Sequence, residues 1–349
     1  MSSIAGFLPR VVLAVAVLGG CMMSARAEIV WTNYTTGSGL GNNAVRGVYA
    51  SGSTIYAATG GGGLSVSTNS GTNWTTYTTG SGLGNNSVWG VYAAGSTIYA
   101  ATQNGLSVST NGGANWTNYT TASGLGSNVI RGVYAAGSTI YAATSGGLSI
   151  STNGGSAWTN YTSGSGLGNT SVNGVYASGN TIYAATNLGG LSISTNSGAN
   201  WTTYTTASGL GNNTVRGVYA AGSTIYAATQ NGLSISTNNG TSWITYTTGN
   251  GLGSSDIRGV YASASEIYAA TSLGLSISTN AGTNWTTYTT GSGLGSDSVW
   301  GVYATGSTIY AATNGALSVG TVAVPEPSAW VMGLAGLACG GWGVVRRRK

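Results

Sequence analysis

Residues 74–115 read WTTYTTGSGLGNNSVWGVYAAGSTIYAATQNGLSVSTNGGAN, and this stretch decides the fold. It contains four strand-like runs. "WTTYT" alternates an aromatic residue with threonine. "SVWGVYA" and "STIYAAT" concentrate β-branched and aromatic residues, and "GLSVST" alternates apolar residues with serine. Glycine and asparagine clusters separate the runs and supply the positive-φ positions that tight turns need.

The same unit fills the chain on both sides. Trp31, Trp74, Trp116, Trp158, Trp201, Trp243 and Trp285 open successive copies 42 or 43 residues apart, so the body is one motif repeated seven times. The 21 tyrosines are three per repeat, in the W-T-x-Y run or its variant, in GVYA and in IYAAT, which makes each of them part of the scaffold pattern. Four short antiparallel strands in about 40–45 residues is the measure of a β-propeller blade. A β-solenoid is the competing reading, but its rungs are usually shorter and no half-period is evident. The array begins with a lone strand, "WTNYT" (31–35), and ends with three, "SVWGVYA", "STIYAAT" and "ALSVGTV". One plus three completes a seventh blade and removes the open edge of the ring. The expectation is therefore an all-β, seven-bladed β-propeller of four-stranded antiparallel blades over residues 28–323, closed by the N-terminal strand joining the last blade.

Two patterns in the repeat carry resemblances. S-T-N-x-G-x-x-W occurs six times, from Ser67–Trp74 to Ser278–Trp285, and resembles the Asp-box of sialidase-type propellers, with asparagine in the Asp position. In the seventh copy Gly320-Thr321-Val322 stands instead. The run YTT-x-x-GL-x-x-N-x-V…IYAAT-x-x-GLS is similar to the two-component-regulator propeller repeat. Together the resemblances cover about 290 residues. They imply the fold and leave the function open.

The ends differ from the body. Arg10, the apolar run VVLAVAVLGG (11–20) and the small residues of ARA (25–27) form a secretory signal with cleavage after Ala27. The alternative is a lipoprotein signal, since LGGC (18–21) resembles a lipobox that would lipidate Cys21. At the other end, 329–345 is free of charge and reaches the lower limit for a transmembrane helix. Trp330 and Trp342 suit its two interfaces, and Arg346, Arg347, Arg348 and Lys349 would stay in the cytoplasm, leaving the body outside the inner membrane. Pro325-Glu326-Pro327, an apolar segment and a terminal arginine cluster resemble the PEP-CTERM sorting signal of Gram-negative bacteria. That resemblance implies an exosortase as processing partner and transient inner-membrane anchoring. It also implies delivery to the cell surface or beyond, and association with exopolysaccharide in biofilm. Three segments follow: 1–27 signal, 28–323 propeller, 324–349 sorting and anchor segment.

Composition narrows the chemistry. The formal charge of +5 belongs to the ends. From Glu28 to Val324, Arg46, Arg131, Arg216 and Arg258 balance Glu28, Asp256, Glu266 and Asp297, which gives no basic face for nucleic acid. The body has no cysteine and no histidine, which excludes disulfides and Cys/His metal sites there; no cofactor is expected. No carboxylate pair for glycoside hydrolysis is evident and no serine has a histidine partner, so no catalytic residue is assigned.

One repeat position varies informatively. The residue before glycine in N-x-V-x-G-V-Y and its variants is Arg46, Trp89, Arg131, Asn173, Arg216, Arg258 and Trp300. Propeller symmetry places the seven as a ring at one end of the first strand of each blade. Arginines and tryptophans in a nearly charge-free body suit acidic or stacked sugars. The competing reading is rim packing between blades. Asp256 and Asp297 lie near enough in sequence to pair with ring arginines. The expected role is a non-enzymatic binding or scaffold module with extracellular polysaccharide as partner. The alternatives are a polysaccharide hydrolase or lyase using Glu266 or Asp256, and a sensor-type ligand-binding propeller.

Overall fold

The computed structural model describes residues 28–263 and 266–322. The signal segment with Ala27 and Cys21, the sorting motif and the expected transmembrane helix lie outside them. Among the described residues no helix is long and apolar enough to cross a membrane.

The first blade shows how the repeat folds. Val45–Ser51 forms the innermost strand, followed outward by Thr54–Thr59, Leu64–Ser67 and Thr75–Tyr77, all antiparallel neighbours. A tight turn at Gly52 (φ 57°) joins the first two strands, a backbone conformation that glycine adopts without strain. The second strand is buried on both faces, which suits its run of isoleucine, tyrosine and two alanines. The register slips between Val45 and Gly47, so Arg46 is the extra residue of a β-bulge.

Seven such four-stranded sheets make an all-β, seven-bladed propeller. The last sheet contains Val299–Thr305, Thr308–Thr313 and Leu317–Val322, and its outermost strand is Ile29–Tyr34 from the other end of the chain. Closure is as the repeat arithmetic expects, and it is reinforced. Ile29–Tyr34 pairs with Leu317–Val322 over six positions, whereas the outer strand of the first blade pairs over three. This explains the missing seventh S-T-N-x-G turn: the third strand runs straight through Gly320 to extend the ladder. A Cβ at Gly320 would stand 2.7 Å from the Trp31 ring, so glycine is what lets that tryptophan lie across its partner strand.

The core lies between blades. Tyr56, Leu64 and Val66 of the first blade pack on Leu83, Val88 and Ile98 of the second, and the pattern recurs around the ring. It closes where Tyr310 and Leu317 meet Leu40, Val45 and Ile55. Each fully buried aliphatic side chain contributes about 1.5–3 kcal/mol, so repeating one cluster around the circle supplies most of the cohesion.

The S-T-N-x-G-x-x-W turns fasten the outside. Ser67 Oγ accepts from the Gly71 amide at 2.8 Å, and Asn69 Oδ1 accepts from the Asn73 amide at 2.9 Å. Trp74 then meets Tyr34 of the neighbouring blade edge-to-face at 5.5 Å. The asparagine satisfies its own turn backbone, a structural task.

Candidate functional site

The bulge of the first blade recurs in every innermost strand, between Val88 and Gly90, Ile130 and Gly132, Val172 and Gly174, Val215 and Gly217, Ile257 and Gly259, and Val299 and Gly301. The extra residues are therefore Arg46, Trp89, Arg131, Asn173, Arg216, Arg258 and Trp300. A bulge re-aims the side chain it carries. All seven line one cavity of about 370 Å³, together with Asn187, Thr214 and Gln230 from the surrounding loops.

The next residues along the strands are Gly-Val pairs, which line a second cavity of about 220 Å³. A Cβ on Gly47 would stand 3.1 Å from the Trp89 carbonyl oxygen, so glycine eases the close approach of neighbouring inner strands here. Towards the other end of the strands, Tyr49, Tyr92, Tyr134, Tyr176, Tyr219, Tyr261 and Tyr303 form a closed circle, each ring centroid 4.9–5.1 Å from the next. Burial, reinforced by neighbouring phenols, pushes Tyr176 and Tyr261 up to about 12.

The mouth combines charge with internal pairing. Arg216 Nη2 lies 3.0 Å from Asp256 Oδ1, and Arg258 Nε lies 3.5 Å from Asp256 Oδ2. Arg258 also donates to Ser298 Oγ at 2.7 Å. Arg131 donates to Ser171 Oγ and Asn173 Oδ1, both at 2.7 Å, and Asn173 donates to the Val215 carbonyl at 2.9 Å. Burial lowers the Arg131 and Arg258 pKa values, with Asp256 opposing the effect on Arg258. Arginine remains a cation throughout. Arg46 packs between two tryptophans, its guanidinium carbon 5.1 Å from the Trp89 ring centroid and 4.9 Å from that of Trp300. Arg258 covers the Trp300 ring at 4.1 Å. The ring residues thus join neighbouring blades, and four arginines line a common cavity.

Asp297 departs from expectation. It pairs with no ring arginine; its Oδ1 accepts from the Thr290 amide at 2.6 Å, the task Asn43 performs for Thr36 in the first repeat. Among the described acids, Asp256 is the one that pairs with ring arginines. Glu266 lies at the opposite end of its sheet, where it pairs with Ser263 across the hairpin and accepts from the Tyr268 hydroxyl at 2.6 Å. Among the described residues no three His, Cys, Asp or Glu side chains gather to hold a metal ion.

Residues 323–349 match the PEP-CTERM protein-sorting motif. The chain carries a PEP-CTERM sorting motif. The motif implies export, processing by an exosortase and a surface or extracellular destination. A comparison with curated proteins gives no match. Among solved structures, this PEP-CTERM chain is similar to the extracellular domain of the hybrid two-component system BT3049 from B. thetaiotaomicron. The TM-score is 0.71 at 20% identity, over 85% of this chain and 42% of that one. YCF48 from Cyanidioschyzon merolae gives a TM-score of 0.62 at 15% identity, over 83% and 98%. The GH74 enzyme of Niastella koreensis gives 0.56 at 23% identity, over 86% and 44%. The chain spans less than half the length of the first and third, and at these identities the likeness is one of fold.

Proposed function

We propose that this chain is an exported, non-catalytic binding module of the cell surface or extracellular matrix, and that an acidic polysaccharide is its ligand. One observation supports the reading: the seven variable bulge positions of a near-uniform repeat line a single cavity, among them four arginines, two of which Asp256 pairs. Aromatic and guanidinium surfaces side by side suit sugars that bear acidic groups. The sorting motif supports the setting, a Gram-negative surface rich in exopolysaccharide, reached after temporary anchoring in the inner membrane by the segment before Arg346, Arg347 and Arg348.

The fold likeness to a sensor's extracellular domain is compatible with ligand binding without turnover. A hydrolase or lyase, the reading the GH74 likeness would favour, has to work with Asp256 already engaged by two arginines and Glu266 at the far end of its sheet. The test is equilibrium binding of a polyuronate and of neutral dextran to the exported protein and to an Arg216→Ala/Arg258→Ala variant. The expected result is saturable binding of the polyuronate alone, weakened about tenfold or more in the variant. Equal binding of dextran, or cleavage of the polyuronate, would refute the proposal.

A further inference from the structure

We infer that Arg46 is the anchoring residue of the mouth and that it takes the carboxylate of a uronic acid. The inference rests on the binding reading above and names the chemical group that the mouth selects.

Three observations converge on Arg46. Among the described residues it is the ring arginine without a hydrogen-bond or ion-pair partner; Arg131 is held by Ser171 and Asn173, Arg216 by Asp256, and Arg258 by Asp256 and Ser298. Its guanidinium lies between the Trp89 and Trp300 rings. The two indoles flank the cation and restrict its orientation. The third observation concerns the loop above it. At the position after the second strand's threonine the other blades carry glutamine, serine or asparagine, such as Gln103 and Ser145, whereas the first blade carries Gly60 and then three more glycines. A Cβ on Gly60 would stand 2.9 Å from Arg46 Nε. A side chain at this position would have to displace the guanidinium from its place between the indoles, so glycine leaves Arg46 undisturbed there.

A planar fork of N–H donors held at a fixed orientation matches a planar carboxylate, which can accept two parallel hydrogen bonds. A neutral sugar offers only hydroxyls to the same edge, and its esterified acid has lost the charge. Lysine cannot substitute: it presents a point charge on a flexible stem and has no plane to lie between the indoles.

The experiment is calorimetric titration of the whole exported protein with a short oligogalacturonate, its methyl ester and dextran sulfate. It is repeated for Arg46→Lys, Gly60→Gln, Gly60→Ala and, as a control at the far end of the ring, Glu266→Gln. Melting temperatures accompany each variant so that affinities are compared only between folded proteins. The expected result is that the oligogalacturonate binds and its ester does not. Arg46→Lys and either Gly60 variant then lose affinity about tenfold or more, while Glu266→Gln matches wild type. Wild-type affinity in folded Arg46→Lys and Gly60 variants would overturn the assignment of Arg46 and leave anion binding at the mouth standing. Binding of dextran sulfate without oligogalacturonate, or of acid and ester alike, would overturn the choice of carboxylate. Failure of both acidic polymers to bind wild type would remove the functional reading and this inference with it.

Discussion

At the scale of the residue, the ring position is where the near-uniform repeat changes chemistry between arginine, tryptophan and asparagine, and the bulge gives the reason. A residue inserted into the ladder makes no cross-strand pair that its neighbours must match, so it varies widely while the flanking positions stay valine or isoleucine and glycine. The variation was legible in the sequence; the bulge was not, because Arg-Gly-Val-Tyr reads equally well as regular strand. The two aspartates near the ring show the same limit. Asp256 and Asp297 stand two and three residues before ring residues, yet only Asp256 turns to the mouth, while Asp297 occupies the asparagine position of its loop. Asp256→Asn should therefore tighten the binding of an acidic polysaccharide several-fold by freeing Arg216 and Arg258, and should cost about 1 kcal/mol or less of stability, as expected for a partly exposed ion pair. Paired titration and thermal melting of the variant check both halves.

At the scale of the element, the four strand-like runs of the repeat correspond to four strands, and their alternation was visible because each strand presents its apolar residues to a neighbouring blade. The repeat's Trp-to-Trp unit is offset from the blade by one strand: each Trp-bearing run forms the outer strand of the preceding sheet, as Thr75–Tyr77 does beside Leu64–Ser67. The lone first run revealed this offset in the sequence. The six-position ladder of the closing strand was not legible, since the departure at Gly320-Thr321-Val322 reads as decay of a motif until its pairing with Ile29–Trp31 is seen. Thr32 and Val319 are direct cross-strand partners in that ladder. A disulfide between cysteines placed there would fasten the two ends of the propeller across nearly its whole length. Its oxidation should raise stability by about 3–5 kcal/mol, reversed by reductant. A melting temperature indifferent to reductant would mean that this ladder does not limit unfolding.

At the scale of the whole molecule, sevenfold repetition produces a scaffold, and departures from it give the ring a direction. One end of the inner strands carries arginine and tryptophan, the other a circle of tyrosines. That circle has a pH consequence. Tyr176 and Tyr261 ionise only near 12 in the folded protein, against an ordinary phenol value of 10.0. Unfolded chains lose these protons first as pH rises, so their contribution to stability is complete below pH 10 and is lost as pH climbs towards 12. Melting temperature should fall across that window, and tyrosinate absorbance should appear later in native than in unfolded protein. Polarity along the axis also separates a single site from a repeated one. A near-uniform repeat could bind one sugar on each blade, whereas the mouth belongs to all blades together. The stoichiometry of a short acidic oligosaccharide, measured by titration calorimetry, distinguishes the two most directly. The account predicts one molecule per chain; binding in a ratio that follows the number of blades, or no binding at all, would contradict it.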